Sequence, residues 1–80
     1  MLKNQIINGK KEGYFEFYYS DAIIMAKGNY KNDKPDGYWK WYHQNGKVWY
    51  KGNSINGIQM GYWEGYNEEG ELTRKQYYIS

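Results

Sequence analysis

The chain has 80 residues, with 11 Lys and Arg against 9 Asp and Glu and no cysteine. This excludes disulfide staples and thiolate metal sites, and a net charge of +2 is too small for a nucleic-acid-binding tail. Aromatic residues are abundant (Tyr 11, Trp 4, Phe 2) although mean hydropathy is −1.11, so disorder is excluded and any core must be aromatic rather than aliphatic.

Met1–Asn4 lacks the apolar stretch of a secretory signal. No apolar run approaches the ~20 residues of a spanning helix, and the expectation is a cytoplasmic protein. Residues 1–7 read as a strand near 2–7 closing a partial unit, with Lys3 aligned to Lys27. From Asn8 onward the chain repeats every 24 residues. Asn8, Asn32 and Asn56 open the units; Gly13-Tyr14-Phe15, Gly37-Tyr38-Trp39 and Gly61-Tyr62-Trp63 follow. Tyr18, Tyr42 and Tyr66 come next, then Ile24, Val48 and Leu72, then Lys27, Lys51 and Lys75. The units are 8–31, 32–55 and 56–80, in a single domain over 1–80.

Each unit reads as a β-hairpin, with strands near 13–19 and 23–30, 37–43 and 47–54, and 61–67 and 71–79. The turns fall at Ser20-Asp21-Ala22, Asn45-Gly46 and Glu69-Gly70. Asn8-Gly9, Asn32-Asp33 and Asn56-Gly57 turn between hairpins, and Pro35 lies in such a link. The fold expected is all-β: an elongated, single-layer antiparallel meander of about seven strands.

If Asn45-Gly46 is a two-residue turn, His43 faces Val48, Trp41 faces Tyr50 and Trp39 faces Gly52. The first unit then pairs Phe15 with Gly28, Phe17 with Ala26 and Tyr19 with Ile24. An aromatic ring over a facing glycine covers its backbone. The other face pairs Glu16 with Lys27, Glu64 with Lys75 and Lys40 with Lys51. Face A then gathers Leu2, Ile6, Phe15, Phe17, Tyr19, Ile24, Ala26, Tyr30, Trp39, Trp41, His43, Val48, Tyr50, Trp63 and Leu72, with Arg74 as its one formal charge. Face B gathers Tyr14, Tyr18, Met25, Tyr38, Tyr42, Trp49, Tyr62 and Tyr66 among Lys27, Lys40, Lys51 and Lys75. The assignment assumes no bulge.

Gly-Tyr-Trp-x-x-Tyr, then Asn-Gly-Lys and Lys-Gly-Asn, resembles the MORN repeat (membrane occupation and recognition nexus) in its bacterial variant. The match is fullest over Asp36–Lys47. Ala22 departs from it at the first hairpin turn, and Gly65 and Gln76 depart in the third unit. The resemblance implies successive hairpins in one twisted sheet and a non-enzymatic role in binding proteins, with contacts to anionic lipid in some members. It also implies a link to antitoxin-type proteins in some bacterial relatives.

No catalytic constellation emerges. His43 is the one histidine, and nothing positions Ser20, Ser54 or Ser80 beside it. Glu68, Glu69 and Glu71 read as a solvated turn without calcium-loop spacing, and no glycine precedes a helix as a phosphate loop would. Neither metal nor cofactor is expected. The function expected is protein binding, by occluding or scaffolding a partner through Phe15, Phe17, Trp39, Trp41, Tyr50 and Trp63. The alternatives are an antitoxin, immunity or phage-encoded inhibitor of a bacterial enzyme, or an anionic-ligand face made of Lys27, Lys40, Lys51, Lys75, Tyr38 and Tyr42. Acids interrupt that face, so nucleic acid and membrane have the weaker support. A homodimer through the sheet edges or face A is a further expectation.

Overall fold

A computed structural model describes residues 3–79. Leu2, expected on face A at the start of the first strand, lies outside them. The elements are β1 (Gln5–Ile7), β2 (Lys10–Ser20), β3 (Ile23–Lys31), β4 (Lys34–Pro35), β5 (Gly37–Tyr42), β6 (Val48–Ile55), β7 (Ile58–Tyr66) and β8 (Leu72–Tyr78). They form one open antiparallel sheet in the order β1-β2-β3-β5-β6-β7-β8, with the two-residue β4 also paired to β3. The all-β meander is as expected, and β4 raises the strand count to eight. The single layer makes a plate of 40 × 36 × 17 Å.

The links between hairpins are tighter than expected. Asn8-Gly9, Asn32-Asp33 and Asn56-Gly57 all hold positive φ at both positions (52° and 78°, 51° and 71°, 57° and 84°). That is the type I′ turn, whose twist matches that of its flanking strands. β2 and β7 therefore begin at Lys10 and Ile58, directly after their turns. Successive links are tied together: Asp33 N–H donates to Lys11 C=O at 3.0 Å, and Gly57 N–H donates to Pro35 C=O at 2.8 Å.

The turns within the second and third hairpins differ from the two-residue reading, while the first keeps two residues, Asp21-Ala22, with Ser20 paired to Ile23. His43 N–H donates to Lys47 C=O and Gly46 N–H to His43 C=O, at 2.8 and 3.0 Å; Asn67, Gly70 and Glu71 repeat this pattern. Gly46 and Gly70 have φ near 90°. These are three-residue loops ending in a left-handed glycine. In those two units a bulge cancels the one-residue change two pairs further on, and in the first unit an extra Tyr19 on one strand is offset by an extra Met25 on the other. Trp41 pairs with Tyr50 but Tyr42 with Val48, leaving Trp49 extra. Met25 and Thr73 are extra at the same place in their units. The pairings Tyr19–Ile24 and His43–Val48 are thereby corrected: Tyr18 meets Ile24 and Tyr42 meets Val48. Phe15–Gly28, Phe17–Ala26, Trp39–Gly52, Glu16–Lys27, Lys40–Lys51 and Glu64–Lys75 pair as expected.

The core lies on face A. Phe15, Ala26, Trp39 and Trp63 are buried, with Phe17, Met25, Tyr30, Tyr50 and Tyr78 packed around them. The ring over each strand glycine comes from the following hairpin, not from the preceding strand. A Cβ on Gly28 would fall inside the Trp39 indole, and one on Gly52 inside the Trp63 indole. A second bulge brings this about. Between the Lys27–Lys40 and Tyr30–Pro35 pairs, the later strand is two residues longer than its partner. Gly37 takes up that surplus at φ 104°, as Gly61 does in the next unit at φ 70°. Each indole N–H then donates to a backbone carbonyl, Trp39 to Asn29 at 3.0 Å and Trp63 to Asn53 at 2.9 Å.

Candidate functional site

Strand register lays two continuous rows across the sheet, one on each face. On face A the row is Phe17, Ala26, Trp41, Tyr50, Gly65, Arg74. On face B it is Glu16, Lys27, Lys40, Lys51, Glu64, Lys75.

The six residues expected as partner anchors separate by burial. Phe15, Trp39 and Trp63 keep only 4, 3 and 2% of their surface exposed, so they are packing residues with no area to offer. Phe17 and Tyr50 are half-buried, and Trp41 remains 37% exposed. Trp41 stacks on Trp39 with ring centres 6.2 Å apart, Phe17 stacks on Phe15 at 6.0 Å, and Tyr50 lies 4.9 Å from Trp63. The outer rings are thus held by the buried ones.

A cleft of about 670 Å³ opens where the third unit departs from the first two. Gly65 stands in the register position of Phe17 and Trp41, so the aromatic wall stops there. Trp41, Tyr50 and Tyr78 line the cleft with Arg74 and Gln59. The Tyr50 and Tyr78 hydroxyls meet at 3.0 Å, fixing both rings. Arg74 makes no ion pair among the described residues. Trp49 also lines this cleft, and its ring lies 5.5 Å from the His43 imidazole. It was expected on face B. As the extra residue of its bulge it breaks the alternation, and Met25 likewise packs against the face A core. The bulges escape notice in the sequence because an offset nearer the turn cancels each one, a three-residue loop for Trp49 and the unpaired Tyr19 for Met25.

Face B is organised by carboxylates. Glu16 accepts hydrogen bonds from the hydroxyls of Tyr14 (2.9 Å) and Tyr18 (2.5 Å) and an ion pair from Lys3 (2.9 Å). Glu64 accepts from Tyr62 (3.1 Å) and Tyr66 (2.7 Å), with Lys51 at 3.8 Å. The Tyr18 hydroxyl, then Lys3 and Tyr14, hold the Glu16 carboxyl down at about 2. Burial, reinforced by Glu16, pushes the Tyr14 phenol up to about 12. Glu64 is likewise lowered, chiefly by Tyr66. Lys27 and Lys51 lie over the rings of Tyr42 and Tyr66. Lys40, Lys51, Tyr38 and Tyr42 fall in the central unit of this face, Lys27 lies beside Lys40 on the adjoining strand of the first unit, and Lys75 falls at the β8 edge.

His43 has a structural task. Its Nε2 lies 2.8 Å from Tyr66 C=O, as the Tyr19 hydroxyl lies 2.7 Å from Tyr42 C=O one unit earlier. Among the described residues no group of three His, Cys, Asp or Glu could hold a metal, and no helix is long and apolar enough to cross a membrane. Comparison with protein-family models, curated proteins and solved structures finds no match to this chain.

Proposed function

We propose that this protein is a non-enzymatic binding module that occludes or scaffolds a protein partner through face A. The observation that carries this reading is the cleft over Gly65. Its walls are pre-formed aromatic rings, anchored by buried neighbours, and Arg74 supplies a cation at the rim that has no ion pair among the described residues. A partner that fits places an apolar side chain over Gly65 against Trp41 and Tyr50, and sets a carboxylate beside Arg74. Aromatic anchors in fixed positions lose little rotamer freedom on binding, and such residues dominate interface energetics. The repeated-hairpin resemblance to binding proteins agrees with this role.

Gly65→Phe tests the reading, because it restores the aromatic of the first unit and fills the cleft from within. Immobilised wild-type protein is expected to retain a partner from lysate of the source cells, and Gly65→Phe and Arg74→Glu to lose it while keeping the wild-type circular dichroism spectrum. Retention of that partner at wild-type levels by both variants would overturn the assignment.

A further inference from the structure

The outer units of face B each close a carboxylate between two tyrosine hydroxyls, on Glu16 and on Glu64. The middle unit keeps both tyrosines, Tyr38 and Tyr42, but Lys40 stands between them. Lys27, Lys40 and Lys51 are direct neighbours on three adjacent strands. Like charges so placed repel. Among the described residues Lys27 and Lys40 have no ion pair, and Lys51 reaches Glu64 only at 3.8 Å. A shallow cleft of about 310 Å³ lies beside Lys27, Tyr38 and Lys40.

We infer that the middle unit is a carboxylate-binding site whose occupant comes from outside the chain, as an aspartate or glutamate of an acidic peptide segment. The flanking units display the geometry of the filled site. The incoming carboxylate takes the place of Glu16 and Glu64, accepts from the Tyr38 and Tyr42 hydroxyls, and relieves the repulsion among Lys27, Lys40 and Lys51. Carboxylate is favoured over phosphate because both internal occupants are carboxylates, each met by two single-donor hydroxyls. Three neighbouring strands span roughly 10 Å, and alternate side chains of an extended peptide sit about 7 Å apart. Two acids in an i, i+2 spacing therefore fall within reach of the three ammonium groups. The site goes beyond the face A cleft and stands without it.

The test is an NMR titration of the 15N-labelled chain at low salt. The probes are a blocked ten-residue peptide of alternating Glu and Ser, its Gln counterpart, and phosphatidylcholine vesicles containing phosphatidylserine. The acidic peptide is expected to shift Tyr38, Lys40 and Tyr42, and the Gln peptide to leave them unmoved. Lys40→Glu supplies the missing carboxylate internally. It is expected to weaken peptide binding by about tenfold or more and to raise the thermal midpoint. Should that variant fail to fold, Lys40→Gln reads the same loss of binding. The Tyr38→Phe/Tyr42→Phe double variant keeps every charge and is expected to weaken binding severalfold, which charge attraction alone would not produce. Three results would overturn the inference: no saturable binding at millimolar peptide, equal binding by the wild type and the Lys40 variants, or binding to the vesicles but not the peptide.

Discussion

Gly52→Ala probes the packing that organises the whole array. Gly52 lies flat beneath the Trp63 indole, and a Cβ there would occupy the ring's own position. Ring or strand must move. Trp63 is 2% exposed and donates its indole N–H to Asn53 C=O at 2.9 Å. Partial loss of a large aromatic's burial costs about 1.5–3 kcal/mol, a lost hydrogen bond adds about 1 kcal/mol, and overpacking alone costs about 1–3 kcal/mol. A loss of about 3 kcal/mol is expected, a large share of the roughly 4–12 kcal/mol that a chain of this length holds. The thermal midpoint should fall by about 12–24 °C. Gly65→Ala is the internal control. It is also a buried strand glycine, but its Cβ would meet the Arg74 Cβ at 3.2 Å and the Tyr50 ring at 3.5 Å, both able to give. That variant should stay within about 1 kcal/mol of wild type. Thermal and urea unfolding followed by near-ultraviolet circular dichroism separates the two. Equal stability of the two variants would refute the glycine–tryptophan stacking as a determinant of the fold.

Asn56→Ala places a Cβ at φ 57° in a type I′ turn, so it should cost about 1–2 kcal/mol, whereas Asn56→Gly should be nearly neutral; urea midpoints for the pair decide this. The Glu16 carboxyl is depressed in the folded chain, so its contribution is fully present above the ordinary carboxylate pKa and is lost as pH falls toward about 2. The stability gap between wild type and Glu16→Gln should therefore narrow between pH 5 and pH 2.5, and a gap unchanged over that range would contradict the clamp. Trp39→Phe keeps most of the ring over Gly28 but loses the donor to Asn29 C=O, so a loss of about 1–2 kcal/mol is expected in the same assay.

The repeat and the sheet were legible because the signals are periodic. Gly13, Gly37 and Gly61 recur every 24 residues, and the Asn-led turns recur with them. Register was legible at Phe15–Gly28 and Trp41–Tyr50 although the second unit's loop length and the bulges of both units were not, since counted from the turn the errors cancel before those pairs are reached. Nearer the turn they do not cancel, and His43, Tyr19 and Trp49 move. The ring covering Gly28 could not be read from pairing alone. It depends on how the surplus at Asp36–Trp39 is folded, which a pairing table leaves open. The same limit governs the site. Trp39, Trp41 and Trp63 look alike in the sequence, and only the sheet reveals that two are core and one is surface. The Gly65 departure was visible as a broken repeat, but the cleft it opens beside Arg74 required the neighbouring strands.

The proposed role requires the Gly65 cleft to be the surface through which this chain binds another protein. Photo-crosslinking from benzoylphenylalanine placed at Thr73, on the exposed rim of that cleft, tests it most directly, with the same group at the exposed Lys31 as reference. Irradiation in the source cells is expected to give an adduct with a different polypeptide from position 73 and none from position 31. No adduct from position 73, or only one of twice the chain's own mass, would contradict the account.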